Sequence, residues 1–298
     1  MTEITLLDGG MGQEITKRAG DTNSPLWSMK AMMEKPGLVE AVHREYFEAG
    51  ATIAMTNTYP VHRDRLEPRG MGDLFLPLMD AALAEAAAAR ADFGGGRLAG
   101  AIGPLGGSYN PDLIPDPEIA APLIAEVAGH LAPHVDLLVC ETLPSLKAVD
   151  GALSGCEGLD CPVWIAVTVS DSDGSRLRSG ERMADLAPLV EKYQPDAVLV
   201  NCSSPEAMEA GLLDIRDFGL PFGAYANAFE RITDDFLDPN ASVDTLTARR
   251  DIWPNVYADF AMHWVAMGAT IIGGCCETGP AHIAEIARRL DRAGFVIV

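Results

Sequence analysis

The chain has 298 residues, 48% of them hydrophobic, with 43 acidic against 22 basic side chains and a formal net charge of −21. That balance argues against a nucleic-acid partner, whose phosphates demand basic patches, and fits either small cationic ligands or a solvated acidic surface. No apolar run reaches the roughly 20 residues of a membrane helix, the N-terminal residues lack the basic-then-apolar order of a signal peptide, and six cysteines without a small-domain framework fit a reducing compartment; a cytoplasmic protein with no membrane partner is expected.

Apolar strand-like runs alternate with helical stretches along the chain. The first run, Ile4-Thr5-Leu6-Leu7, leads into Asp8-Gly9-Gly10-Met11-Gly12. A helix is predicted from Pro36 to Ala49, followed by a strand over Thr52–Met55 that ends in Thr56-Asn57-Thr58-Tyr59. The alanine-rich segment Asp73–Asp92 is helical by propensity. Leu98–Ile102 forms the third strand, ending in Gly103-Pro104, and a proline-rich loop precedes a helix from Glu118 to Leu131. Asp136–Cys140 is the fourth strand, closed by Glu141-Thr142. The fifth is Val163–Thr168, the sixth Ala197–Cys202, the seventh Phe222–Ala226 before Asn227, and the eighth ends at Gly274 ahead of a helix from Pro280 to Leu290.

Eight strands, each followed by helical sequence, predict a single (β/α)8 barrel over residues 1–298. The alternative, a doubly wound open sheet, lacks a glycine-rich dinucleotide fingerprint after an early strand. In a barrel, the active site lies at the carboxyl ends of the strands. Asp8, Asn57, Glu141, Asn201, Cys202, Asn227, Cys275 and Cys276 all fall there. The longest stretch without a clear element, Ala228–Pro254, is acidic, and loops of that length in compact domains are usually functional or mobile.

The adjacent pair Cys275-Cys276 follows Gly273-Gly274 at a strand end. Neighbouring residues on a regular strand point to opposite faces, so both thiols reach one site only if the chain bends, and the glycines are expected to supply that bend. Cys202 ends another apolar strand. Three thiolates from two strand ends make a zinc site with its fourth position open to substrate. Cys140, Cys156 and Cys161, each alone in its surroundings, read as small core residues. None of the histidines has metal-ligand spacing; His43, His263 and His282 lie on predicted helices. Asp8 and Glu141, together at the barrel mouth, suit an ammonium group.

Taken together, Asp8-Gly9-Gly10-Met11-Gly12, Pro25-Leu26-Trp27-Ser28, Thr56-Asn57-Thr58-Tyr59, Glu141-Thr142, Asn201-Cys202 and Gly273-Gly274-Cys275-Cys276 resemble the homocysteine S-methyltransferase family over essentially the whole chain. The resemblance implies a zinc-dependent enzyme of the (β/α)8 fold that methylates homocysteine to methionine, with Cys202, Cys275 and Cys276 as ligands of Zn2+. It also implies that Asp8, the Gly9-Gly10-Met11 backbone and Glu141 hold the amino acid part of homocysteine. Asn57 belongs to the same substrate site, and Asn227 is the candidate for the fourth metal position when substrate is absent. Trp27 and Tyr59 offer aromatic faces to a cationic methyl donor.

The length and the Leu26-Trp27-Ser28 stretch look most like enzymes using S-methylmethionine or S-adenosylmethionine. Betaine, a methylated corrinoid protein as partner in a divided methionine synthase, and a homo-oligomeric assembly stay open. So does a non-catalytic thiol protein that stores zinc or senses oxidants. The chain departs from the family pattern at Glu277, where a basic or small residue is usual, at Ala226-Asn227-Ala228, and in a shortened loop after Gly103-Pro104.

Overall fold

The computed structural model describes residues 2–20, 26, 28–237 and 246–298. Eight strands run parallel to their neighbours: β1 (Glu3–Leu6), β2 (Ile53–Met55), β3 (Arg97–Ile102), β4 (Leu137–Leu143), β5 (Val163–Val167), β6 (Ala197–Asn201), β7 (Phe222–Ala226) and β8 (Ile271–Gly274). They are ordered β2 through β8 and then β1. The ring closes where β1 meets β2: Leu7 bridges Ile53, and Thr52 N donates to Leu6 O at 2.7 Å. Helices cover the outside, so both faces of each strand are buried and the strands read as continuous apolar runs. This is the expected (β/α)8 barrel.

Strand parity carries the design from sequence to site. Leu137 and Val139 of β4 pack inside the ring while Leu138 and Cys140 face the helices. Ala197 and Leu199 of β6 point inward in the same way, as does Tyr225 of β7. Continuing the alternation, Glu141 and Asn201 emerge at the inner top of the barrel beside Tyr225. Tyr225 OH donates to Glu141 Oε2 at 3.1 Å, and Asn201 Nδ2 lies 3.4 Å from the same oxygen.

Several elements differ from expectation. The sequence between β1 and β2 holds three helices, Met11–Ala19, Ser28–Glu34 and Leu38–Glu48, where only the last was predicted. The alanine-rich helix starts after a 3-10 turn and runs Phe75–Phe93. After β5 the chain forms a two-stranded antiparallel hairpin, Val169–Ser170 with Asp173–Leu177, whose turn carries the Asp and Ser residues that favour reversal. A short strand, Val296–Ile297, adds to the outside of β1. Cys140 and Cys156 are buried core residues with their sulfurs 3.8 Å apart. His43 is buried with neither ring nitrogen partnered, and burial pushes its pKa down to about 3. Among the described residues, no helix is long and apolar enough to cross a membrane.

Candidate active site

At the carboxyl ends of the strands lies a cavity of about 180 Å3. Its wall is built from the loops after β1 (Gly9 to Gln13), β2 (Asn57, Tyr59), β3 (Gly106 to Tyr109), β4 (Glu141, Thr142), β6 (Cys202) and β8 (Gly274 to Cys276). Phe229, Phe236 and Leu237 from the long segment after β7 complete it. That segment folds back on the site: Ala228 N donates to Cys276 O at 2.9 Å.

The sulfurs of Cys202, Cys275 and Cys276 converge within 4.8 Å of one another. Cys202 Sγ stands 3.6 Å from Cys276 Sγ and 2.7 Å from Cys275 Sγ. The two neighbours share a site because the chain turns after the strand. Thr278 N and Thr278 Oγ1 both bond Cys275 O, at 3.1 and 2.6 Å, and Glu277 sits in the left-handed region at φ 64°. The glycine pair is therefore not the hinge. Gly273 and Gly274 lie inside β8 and are needed for close approach: a Cβ at Gly273 would meet Leu7 Cβ at 2.5 Å, and one at Gly274 would meet Thr278 Oγ1 at 2.1 Å. Cys202 also adopts a left-handed φ, 47°, breaking the parity of β6 and turning its thiol toward the pair.

The thiols differ in proton affinity. Burial works against ionisation of Cys202, but hydrogen bonds from Cys275, Cys276 and the Tyr109 hydroxyl (2.8 Å) outweigh it and hold this thiol well below the usual range. Burial pushes the Cys275 thiol up, and its bond to Cys202 pushes that of Cys276 up. Of the three, Cys202 is thus the thiol that gives up its proton most readily. Such a soft, sulfur-only donor set fits a thiophilic metal. Sulfurs about 2.3 Å from a tetrahedral zinc stand about 3.8 Å apart, so the 3.6 Å pair already fits and the 2.7 Å pair must spread by about 1 Å.

Glu141 is buried at the cavity wall, and its pKa is raised to about 8, first by desolvation and then by the Cys202 charge, against the bond from Tyr225. Asp8 lies behind the wall and is fully buried. Its Oδ2 accepts from Met55 N at 2.8 Å, while Oδ1 has no partner. Burial pushes its carboxyl well up, against the bonds from the Met55 and Asp8 N–H groups. Two raised carboxyls beside one cavity suit a cationic ligand.

A sequence model of the homocysteine S-methyltransferase family matches residues 5–290. The chain belongs to this family. It is 29% identical to a homocysteine S-methyltransferase of Bacillus subtilis (strain 168), covering 95% of this chain and 93% of the relative. It is also 29% identical to the homocysteine S-methyltransferase of Escherichia coli (strain K12), over 96% of this chain and 95% of that one. Among solved structures, the metallated form of the homocysteine methyltransferase MmuM from Escherichia coli superposes with a TM-score of 0.80 at 28% identity, covering 96% of both chains. The apo form of MmuM gives 0.71.

In this methyltransferase, the other residues singled out by type fall on both sides of the cavity wall. Asn57 lines it, accepting from Ser28 Oγ at 2.7 Å, as do Gly9, Gly10 and Met11. Asn227 lies outside the lining: its Oδ1 accepts from Phe229 N at 3.2 Å, and its Nδ2 is buried without a partner. Tyr59 lines the cavity, but one ring face is already covered by the Arg65 guanidinium, 5.4 Å from the centroid, and its hydroxyl is 2.6 Å from Ser108 Oγ. Trp27 falls outside the described residues.

Residue-type reasoning missed Tyr109, Arg65 and Arg69, all of which line the cavity. For Tyr109 a signal existed in Gly106-Gly107, two left-handed glycines (φ 76° and 143°) that let the short loop fold over the thiols. The arginines follow β2 by several residues and carry no motif.

Proposed function

We propose that the chain, acting as one barrel domain over residues 1–298, moves a methyl group from a small sulfonium to the thiol of homocysteine, giving methionine, with Zn2+ held by Cys202, Cys275 and Cys276. The observation that carries this reading is the meeting of three thiols and a raised carboxyl, Glu141, on one cavity. When bound, zinc supplies the charge that keeps a substrate thiol deprotonated near neutral pH.

The chain's own residues then do the positioning. Glu141, with Asp8 behind it, receives the substrate ammonium. The substrate carboxylate goes to the start of helix Met11–Ala19, which has no side-chain cap. There Gly10 N already donates to Thr278 O and Met11 N to Gly9 O, both at 2.8 Å, whereas the N–H groups of Gly12 and Gln13 have no partner among the described residues. Gly9 N likewise has no partner among the described residues, so the carboxylate contact runs from the Gly9-Gly10-Met11 backbone on to the Gly12 and Gln13 N–H groups. With the amino acid held at both charged groups, its sulfur is directed to the thiol trio. The thiolate donates its electron pair to the donor's methyl carbon, a new S–CH3 bond forms, and the broken bond's pair leaves with the donor as a neutral thioether. No general base or covalent enzyme species is needed; orientation does the work.

S-methylmethionine or S-adenosylmethionine is the proposed donor. The test is methionine formation by the zinc-supplied protein from homocysteine and, separately, S-methylmethionine, S-adenosylmethionine, betaine and a methylcorrinoid protein. A sulfonium is expected to give the highest kcat/KM. A corrinoid protein ahead by orders of magnitude would make the chain a subunit of a divided methionine synthase. No methionine from any donor would leave a zinc-storing or oxidant-sensing thiol protein.

A further inference from the structure

The cavity lining carries two chemically distinct groups of residues. One comprises the thiols and Glu141; the other, from the loops after β2 and β3, comprises Arg65, Tyr59, Ser108 and Gly106. We propose that Arg65 binds a carboxylate carried by the methyl donor, so that the donor class is an onium acid: one molecule bearing both the methyl-carrying cation and a carboxylate. The proposal rests on the methyltransferase reading above.

Arg65 is half-buried, and among the described residues one hydrogen bond holds its guanidinium, Nη2 to Pro104 O at 3.0 Å, alongside its stacking on Tyr59. A guanidinium has five N–H donors arranged in a fork that matches a carboxylate. Yet among the described residues no acidic side chain makes an ion pair with Arg65, in a chain with 43 acidic residues. Its neighbour Asp64 makes no ion pair with it: Oδ2 accepts from Gly106 N at 2.7 Å, which holds the β3 loop against the β2 loop, and Oδ1 is buried without a partner. A guanidinium on a cavity wall with spare donors and no carboxylate paired to it is fitted to take an anion.

The carboxylate it awaits is the donor's. That of homocysteine is placed along the backbone from Gly9 to Gln13, beside the acids that take its ammonium. In-line transfer puts the donor's methyl at the homocysteine sulfur and the rest of the donor against the cavity wall, which carries Arg65. A bare sulfonium would find no aromatic face free on the Arg65 side of Tyr59 and would meet a like charge. A carboxylate on the same molecule turns that repulsion into a charge-assisted hydrogen bond.

The experiment compares S-methylmethionine, which has the carboxylate, with trimethylsulfonium, which lacks it, in the zinc-loaded wild type, Arg65→Gln and Arg65→Lys. Losing one charge-assisted bond is expected to lower the kcat/KM ratio of the two donors by roughly ten- to a hundredfold in Arg65→Gln, with a smaller loss in Arg65→Lys. The KM for homocysteine and the zinc content should not change. Calorimetric titration of S-methylmethionine onto the same proteins gives a readout without turnover and should show the same loss of affinity. An unchanged donor ratio, or a rise in the homocysteine KM in its place, overturns the Arg65 assignment while leaving the methyltransferase reading intact. No turnover with any donor sinks that reading, and the calorimetry then still decides whether Arg65 holds a carboxylate.

Discussion

In the absence of substrate and metal, Glu141 keeps its proton at neutral pH, because burial and the Cys202 charge raise its pKa to about 8. An ammonium brought alongside favours the ionised form, so homocysteine binding below pH 8 should release this proton. The affinity contributed by Glu141 therefore grows as pH rises from 6 and levels off near 8. Glu141→Ala is expected to weaken homocysteine binding roughly ten- to a hundredfold, the worth of one charge-assisted hydrogen bond, and to flatten that part of the pH dependence. Zinc content should stay the same, because the carboxylate holds no metal in this arrangement. Calorimetry at pH 6 and 8, with elemental analysis, checks both; a variant that loses zinc, or binds homocysteine normally, makes Glu141 a structural residue.

The β8 loop shows how far an element can be read from its letters. That two cysteines at a strand end face one site was legible; how the chain turns to allow it was not, since non-glycine residues at Cys202 and Glu277 take the left-handed conformations and nothing in their identity announces it. Such strain persists only where surroundings hold it. Here Gln13 Nε2 donates to Glu277 Oε1 at 2.9 Å, Gln13 Oε1 accepts from Glu277 N, and Lys17 Nζ meets Glu277 Oε2 at 2.7 Å. The clamp ties the cysteine turn to helix Met11–Ala19 and accounts for an acidic residue where the family usually has a basic or small one. Glu277→Ala should free the turn and weaken zinc binding by about ten- to a hundredfold, as loss of supporting residues around a metal typically does. Competition with a chromogenic chelator measures this, and wild-type affinity in the variant would show the clamp to be dispensable.

At the scale of the whole molecule, the barrel was legible because parallel strands buried on both faces leave apolar runs separated by helical sequence, whereas the hairpin after β5, built from Ser, Asp and Gly, leaves none. The same burial carries a cost at the barrel's top, where it raises the carboxyls of Asp8 and Glu141. For an acid whose folded pKa lies above its unfolded value, the penalty is absent below the unfolded pKa, grows as pH rises, and is complete above the folded one. For Glu141 that window runs from 4.5 to about 8, a difference of a few kcal/mol. Metal-free Glu141→Gln should therefore melt roughly 5 °C or more above the metal-free wild type at pH 8, and the gap should close by pH 5. Self-repulsion from the net charge of −21 also grows with pH, but it acts across the surface and is screened by salt. The wild-type-to-variant gap at pH 8 should accordingly survive 1 M NaCl; a gap that is equal at both pH values, or that salt erases, would place the destabilisation elsewhere than in the ionisation of Glu141.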